Sequence, residues 1–425
     1  MDLFLFFASF VVFLMMGIPL AFAMALSSLI FLVSNGQIPL MILVQKTFAG
    51  TNSFPMLALP LFIYAGAIMN VGGIAKRLID CASALVGHIR GGMAMVNIVA
   101  SMFFGGISGS AVADTSALGS VLIPGMVKKG YKADFSAAVT AASATIGIII
   151  PPSIAMILYG VVSGESVGTL FIAGMVPGIL VGISQMIVAY FISRRQNYPT
   201  EGRFDLMRAL KAMKDGFWAL IMPVIILGSI IGGICTPTEA AGIAVIYGMV
   251  VSVFIYRSMS WKKLWEATYK TVVTMATIMI IIGFGALVGW ILSYEKVPTL
   301  LAEFILSISG NKWIILLMIN LFLIMLGTFM HGTPIILVVV PILLPLVQSL
   351  GIDLIHFGMI VIFTIGIGQQ TPPLGTCLFV TSAVANLDIL EVARADIPFI
   401  LLLIGLLLLI TFVPEIVLFF PSLVM

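Results

Sequence analysis

Apolar residues in this chain come in long blocks and do not alternate with polar ones. Leu3 to Val33, Gly168 to Ile192, Phe217 to Ile234 and Phe399 to Phe420 are each long enough to cross a ~30 Å hydrocarbon core as helix. The period-two pattern of a membrane β-barrel is absent. The blocks therefore predict an all-α polytopic membrane protein. No basic stretch precedes the first block, and it is far longer than the apolar core of a secretory leader, so it reads as a retained span.

Composition agrees with the pattern. Hydrophobic residues make up 61% of the 425 residues and charged ones 9%, and the mean hydropathy is +1.23. Such a chain cannot present a water-soluble surface over most of its length, so its solvent is the lipid bilayer, and no nucleic-acid partner is expected. Cys81, Cys235 and Cys377 are too scattered for a metal or redox site and read as small buried apolar residues.

The charges give a threading. Basic residues cluster at Lys76, Arg77 and Arg90; at Lys128, Lys129 and Lys132; from Arg194 to Lys214; from Arg257 to Lys270; and at Arg394. With these clusters in the cytoplasm, only Lys46, Lys296 and Lys312 lie outside, and both termini are periplasmic. The segment 92–127 leaves one cytoplasmic cluster and returns to another, and its middle, FGGISGSAVADTS, is too polar for lipid. It is predicted to be a re-entrant hairpin with its tip at mid-membrane, where irregular backbone is tolerated only inside protein or along a cavity. The polar stretch 194–216 is expected to be a cytoplasmic connector with a short amphipathic helix.

That connector separates two halves that repeat. Pro19 matches Pro237 at an offset of 218; Gly87, Asn97 and Gly109 match Gly310, Asn320 and Gly332 at 223; Gly130, Pro151, Pro152 and Pro177 match Gly351, Pro372, Pro373 and Pro398 at 221. The hairpin 92–127 enters from the cytoplasm and its partner, 312–350, from outside, so the repeats have inverted topology, a signature of alternating access. The expected domains are a first repeat over 1–193 with a broken helix at 134–163, the connector 194–216, and a second repeat over 217–425 with a broken helix at 357–385.

Candidate chemistry sits at four polar breaks in apolar helix. Two are hairpin tips, Ser108-Gly109-Ser110 and His331-Gly332-Thr333, and two are crossing segments, Ala144 to Ser153 and Gly366 to Thr376. A proline pair removes two helical donors and clashes with the preceding turn, so the crossing helices must stop before Pro151 and Pro372. Unwound carbonyls beside Ser or Thr hydroxyls make an oxygen cage for a small monovalent cation, and the following helix N-termini offer donors to an anion. A sodium site in each half, with an anionic substrate between them, is the expectation. The competing reading makes the same residues kinks and close-packing points.

Ionisable residues within membrane helices are costly and usually functional. Asp114, Glu239 and His331 are expected to face the interior; the alternative makes Asp114 and Glu239 helix caps and His331 a neutral structural donor. Glu415 reads as interfacial, and Asp388, Glu391 and Asp396 as a solvated loop. Enzyme chemistry is not expected, since no phosphate-binding loop, H-E-x-x-H pair or Cys/His cluster occurs, and no cofactor is implied. Transport would be driven by an ion gradient or a partner.

Several stretches resemble the large membrane subunit of tripartite ATP-independent periplasmic (TRAP) transporters: 52–80, FGGISGSAVADTSALGSVLIPGM (104–126), IIIPPS (148–153), CTPTEAAG (235–242) and GQQTPPLG (368–375). The resemblance spans essentially the whole chain. It implies an elevator-type fold in the bacterial inner membrane, in which a core of hairpins and broken helices slides past a fixed scaffold. It also implies sodium as coupling ion, an organic acid as substrate, a periplasmic binding protein, and a small membrane subunit of about four helices, expected here as a separate chain. Carried over, the family's sodium sites fall on Ser108, Gly109, Ser110, Thr145, Gly147 and Pro151, and on Gly332, Thr333, Gly368, Gln370 and Thr371. Asp114, Glu239 and His331 become candidates for coupling or for substrate and partner contact; His331 departs from an acid that other members carry there. The sequence reads nearest the sialic-acid branch, with C4-dicarboxylates next. The alternatives are a stand-alone sodium/carboxylate symporter of related fold and a non-coupled channel.

Overall fold

The structure, a computed structural model, describes residues 2–424; 82% of the chain is helical, with no strand among the described residues. Helices α1 (Asp2–Met15) and α2 (Leu20–Asn35) are followed by α3 (Met41–Thr51), α4 (Ala58–Val71) and α5 (Ile74–Val86). A helical hairpin comes next, α6 (Gly92–Ser108) and α7 (Ala111–Lys128), then an interrupted helix built of α8 (Ala133–Ala144), the single turn α9 (Ile146–Ile149) and α10 (Ile154–Ser163). After α11 (Val167–Arg195) come α12 (Leu206–Ile231), α13 (Pro237–Val250), α14 (Trp261–Tyr294) and α15 (Val297–Ile308). The second hairpin consists of α16 (Lys312–Phe329), the short α17 (Gly332–Pro334) and α18 (Val340–Ser349), with a π-helical turn before α18. The second interrupted helix is α19 (Leu354–Gly368) with α20 (Thr376–Ala385), and α21 (Ile389–Phe412) and α22 (Glu415–Val424) end the chain.

Two sequence expectations change here. The block Leu3 to Val33 is not one span: Gly17 adopts φ +77°, Pro19 precedes the first residue of α2, and α1 folds back on α2 with Phe6 edge-on to Phe31 at 6.4 Å. Glycine tolerates that left-handed turn and proline cannot continue the helix, so apolar length alone misreads the block. The connector is also shorter than expected. Its amphipathic part is the start of α12, which runs unbroken from Leu206 into the apolar segment. Gly216 does not stop the helix; a Cβ there would sit 3.6 Å from the Arg77 carbonyl oxygen, so the small residue serves close packing on α5.

The linking residues 196–205 are pinned, not loose. Glu201 pairs with Lys129 at the end of α7, the one ion pair among the described residues, while its other carboxylate oxygen accepts from Ser83 at 2.7 Å. The Tyr131 hydroxyl donates to the Pro199 carbonyl at 3.0 Å. Burial pushes that phenol up to about 12, so it stays a donor at any ordinary pH.

Eight helices among the described residues are long and apolar enough to cross a membrane, and α8–α9 with α10, bent by 41°, is long and apolar enough to make a ninth as a broken span. Small residues let the helices approach closely, as membrane packing requires in the absence of a hydrophobic driving force. Gly50 of α3 lies against Ala286 of α14, and a Cβ on Gly283 would come within 2.9 Å of Thr47. Links between the two halves are equally close: the Tyr159 hydroxyl of α10 donates to the Leu354 carbonyl at 2.6 Å, and Gly358 of α19 packs on the Tyr159 ring. Replacing Gly283 with Leu is expected to destabilise the protein by about 1–3 kcal/mol through overpacking. Thermal unfolding of purified protein should show a lower melting temperature, with Gly289→Leu, which faces open space, unchanged.

Candidate functional site

The first hairpin tip is built by backbone geometry. Gly109 takes φ +63° and ends α6, and Ser110 caps α7 by accepting from Ala113 N at 3.5 Å. The Ser108 hydroxyl accepts from Ser110 N at 3.2 Å and donates to Asp114 Oδ1, so the tip and the first turn of α7 form one polar unit. The tip is tied to the break in the interrupted helix: Ile154 N donates to the Gly109 carbonyl at 3.2 Å, and a Cβ on Gly109 would lie 2.6 Å from the Pro152 carbonyl oxygen. One residue type makes this approach possible, because any Cβ would push the two strands of backbone apart.

The break itself follows from Pro151-Pro152, whose linking peptide bond is cis. Side chains take up part of what the lost helical bonds release. Ser153 Oγ donates to the Ile148 carbonyl at 2.6 Å, and the Ala142 carbonyl receives both Thr145 Oγ1 at 2.7 Å and Gln185 Nε2 at 2.9 Å. Gln185 comes from α11 and was not among the sequence candidates. Gly147 lies against the carboxylate of Asp114, and a Cβ on Gly105 would stand 2.7 Å from Gly147 Cα. Ser108, Gly109, Ser110, Thr145, Gly147 and Pro151 thus converge on one neighbourhood, with Asp114 fully buried at its edge and its Oδ2 without a hydrogen-bond partner among the described residues.

The second half builds a parallel arrangement. A Cβ on Gly368 would lie 2.5 Å from Gly327 Cα, a glycine pair that stands at offsets of 221 and 222 from Gly147 and Gly105. Pro372-Pro373 is again cis. Gly332 packs on Ile365, Thr333 is buried, and Thr371 Oγ1 donates to the Ile367 carbonyl at 2.7 Å. Gln370 is fully buried, and neither its Oε1 nor its Nε2 has a partner among the described residues. By length alone α16 and α18 also pass for two spans, yet the tip between them sits beside the interruption of the α19–α20 crossing. The two neighbourhoods adjoin: a Cβ on Gly366 would meet Thr145 Cβ at 3.6 Å and Ile148 Cδ1 at 3.3 Å.

Three ionisable residues part from expectation. Glu239 does not face the interior; it is exposed and completes a capping box with Thr236, whose N and Oγ1 both lie 2.8 Å from Glu239 Oε2. His331 is exposed as well and caps its own turn, Nδ1 accepting from Thr333 N at 3.5 Å. Asp396, read as part of a solvated loop, is fully buried in α21. The signal was in the spacing: Val392, Asp396, Phe399, Leu403 and Leu407 form one helical stripe, and the structure buries all of it. Of the cysteines, Cys81 and Cys377 are buried as expected and Cys235 is only partly so. Among the described residues no group of three or more His, Cys, Asp and Glu side chains is arranged to hold a metal.

Comparison with known proteins gives a consistent result. A family model described as "Tripartite ATP-independent periplasmic transporter, DctM component" matches residues 7–416. The chain is 40% identical to the isethionate TRAP transporter permease protein DctMQ of Oleidesulfovibrio alaskensis, over 98% of this chain and 66% of that relative, so it spans just under two thirds of the latter's length. It is 40% identical to the C4-dicarboxylate TRAP transporter large permease protein DctM of Pseudomonas aeruginosa, over 89% and 88% of the two chains. With the sialic acid TRAP transporter large permease protein SiaM of Vibrio cholerae it shares 37% identity, over 96% and 95%. Among solved structures it resembles the Alcanivorax borkumensis YdaH transporter, with a TM-score of 0.63 at 16% identity, covering 88% of this chain and 89% of that one.

The glycine contacts at the two breaks yield a prediction. Gly147→Ala and Gly368→Ala should each cut transport by about tenfold or more, because the new methyl group would displace the Asp114 carboxylate in the first case and press on the Gly327 backbone in the second. Gly405→Ala, with open space around it, should leave expression-normalised uptake unchanged.

Proposed function

The chain belongs to the family of tripartite ATP-independent periplasmic transporters as its DctM component, and on that premise we propose that it couples uptake of an organic anion to the sodium gradient by an elevator motion. It is a multi-pass inner-membrane transport subunit and not an enzyme. Members of the family work with a small membrane subunit and a periplasmic binding protein, and the same two partners are proposed here. Periplasmic termini are part of the same proposal, supported by the distribution of basic residues.

One observation carries the reading. The two interrupted helices touch where Gly366 lies against Thr145 and Ile148, each has a hairpin tip beside its break, and Asp114 and Gln370 are buried there with polar atoms that have no partner among the described residues. Burying such atoms without partners costs about 1–3 kcal/mol each, so a bound ion or substrate is the natural occupant. Sodium is proposed at Ser108, Gly109, Ser110, Thr145, Gly147 and Pro151, and at Gly332, Thr333, Gly368, Gln370 and Thr371. Unwound backbone and hydroxyls form the oxygen cages, while the N-termini of α7, α10 and α20 present donors to the anion.

The relatives named above act on isethionate, C4-dicarboxylates and sialic acid at similar identity. The shared chemistry is a small, strongly acidic organic anion, with sialic acid as the leading candidate from the resemblance in sequence. A stand-alone symporter of related fold would transport in proteoliposomes without added protein. This chain is expected to be silent until both partners are supplied, and sodium-independent flux would count for a channel. Ser110→Ala and Thr333→Ala should each raise the sodium concentration for half-maximal uptake about tenfold, a loss of ~1.4 kcal/mol. Wild-type sodium dependence in both, at normal expression, would contradict the cage assignment.

A further inference from the structure

The most anomalous side chain lies outside both cages. Asp396 sits at the start of the third turn of α21, a helix that packs on α8, α11, α19 and α20, and it is wholly inaccessible. Neither carboxylate oxygen has a hydrogen-bond partner, and no ion pair reaches it, among the described residues. A buried carboxylate is kept in lipid-embedded protein only with compensation, from a proton, a cation or a set of donors. Donors are missing among the described residues, which leaves a proton or a metal cation.

The surroundings point the same way. Helix α20 begins directly after the second break and packs against α7, α8 and α21. The thiol of Cys377, in its first turn, is fully buried and lies 3.8 Å from Gln369 Oε1. Gln370 Oε1 and Nε2 and Thr376 Oγ1 are also buried without partners among the described residues. Partnerless polar atoms therefore extend beyond the second cage toward α21. The other titratable groups on the packed helices lie toward the ends of α21. Asp134 of α8 and Arg195 of α11 line a surface cavity with Arg394, and Arg194 adjoins them. At the opposite end the His356 ring of α19 donates to the Ile410 carbonyl at 2.9 Å, and Lys312 of α16 lies over the Trp313 ring. Asp388 and Glu391 of α21 itself are exposed.

We propose that Asp396 is the carboxylate of a further monovalent-cation site, for Na+ or H+, in addition to the two cages at the breaks. The proposal rests on the chain being a cation-coupled transporter. It adds a cation whose binding depends on where α20 and α21 sit relative to the second break.

The test uses the purified chain with its small subunit in nanodiscs and counts cations directly. Saturation binding of 22Na+ and proton uptake between alkaline and mildly acidic buffer are measured on wild type and Asp396→Asn. The expected result is one cation fewer per chain in the variant. If the ion is sodium, the 22Na+ count falls by one; if it is a proton, the sodium count holds and proton uptake falls by one. Unchanged counts of both overturn the proposal. Should Asp396→Asn fail to stay monodisperse, infrared difference spectra of the wild type, with and without sodium and across the same pH step, decide instead. A carboxyl or carboxylate band that responds and is displaced in Asp396→Glu supports the site, and its absence overturns it. Failure of the two cages would show separately, as 22Na+ binding insensitive to Ser110→Ala and Thr333→Ala.

Discussion

A bilayer offers the backbone no hydrogen-bond partner, so each carbonyl or amide that a proline pair releases must be satisfied inside the protein. That constraint organises this fold. Pro151 and Pro372 stop two helices within the membrane-spanning part of the chain, and the rest of the core is arranged to receive the consequences. Ser153, Thr145 and Gln185 reach carbonyls around the first break. At the second, Leu374 N donates to the Thr328 carbonyl at 3.2 Å and Cys377 N to the Gln369 carbonyl at 3.0 Å. Near the breaks, side-chain atoms of Asp114, Gln370 and Thr376 are buried without a hydrogen-bond partner among the described residues.

Close approach of backbone to backbone is the second requirement, and glycine supplies it. Gly105 against Gly147 and Gly327 against Gly368 bring each hairpin to within a Cβ radius of its crossing segment, and Gly109 brings the first tip onto the second proline's carbonyl. The pairing recurs at nearly the repeat offset, so the two halves solve the same packing problem with the same residue type. Because Gly366 rests on Thr145 and Ile148, a shift in one half is felt directly by the other. Rigid coupling of that kind suits a core that moves as a body.

The helical class was legible in the apolar blocks, and the two interruptions ahead of Pro151 and Pro372 were legible in the proline pairs, because both are local properties of the chain. Reading failed where tertiary contacts decide. Gly17 and Pro19 turn an uninterrupted apolar block into two packed helices, a conflict between length and local stereochemistry that length alone cannot resolve. For Glu239 the sequence left two readings, an interior carboxylate and a helix cap, and the structure shows the cap as a capping box with Thr236. Asp396 was grouped with its charged neighbours Asp388 and Glu391, although its helical stripe is apolar on either side. Gln185 gave no signal at all, since its role is defined by a carbonyl on another helix.

The central claim is that the interrupted segments are cation cages. Its most direct test is a pair of high-resolution density maps of the assembled transporter, one in sodium and one in a large organic cation. The account predicts one compact peak at each break in sodium, ringed by the oxygens around Ser108–Ser110 and Thr145 and by those around Thr333 and Gly368–Thr371, and loss of both peaks in the other map. Breaks that show no peak in sodium, with unchanged backbone in the two maps, would contradict it.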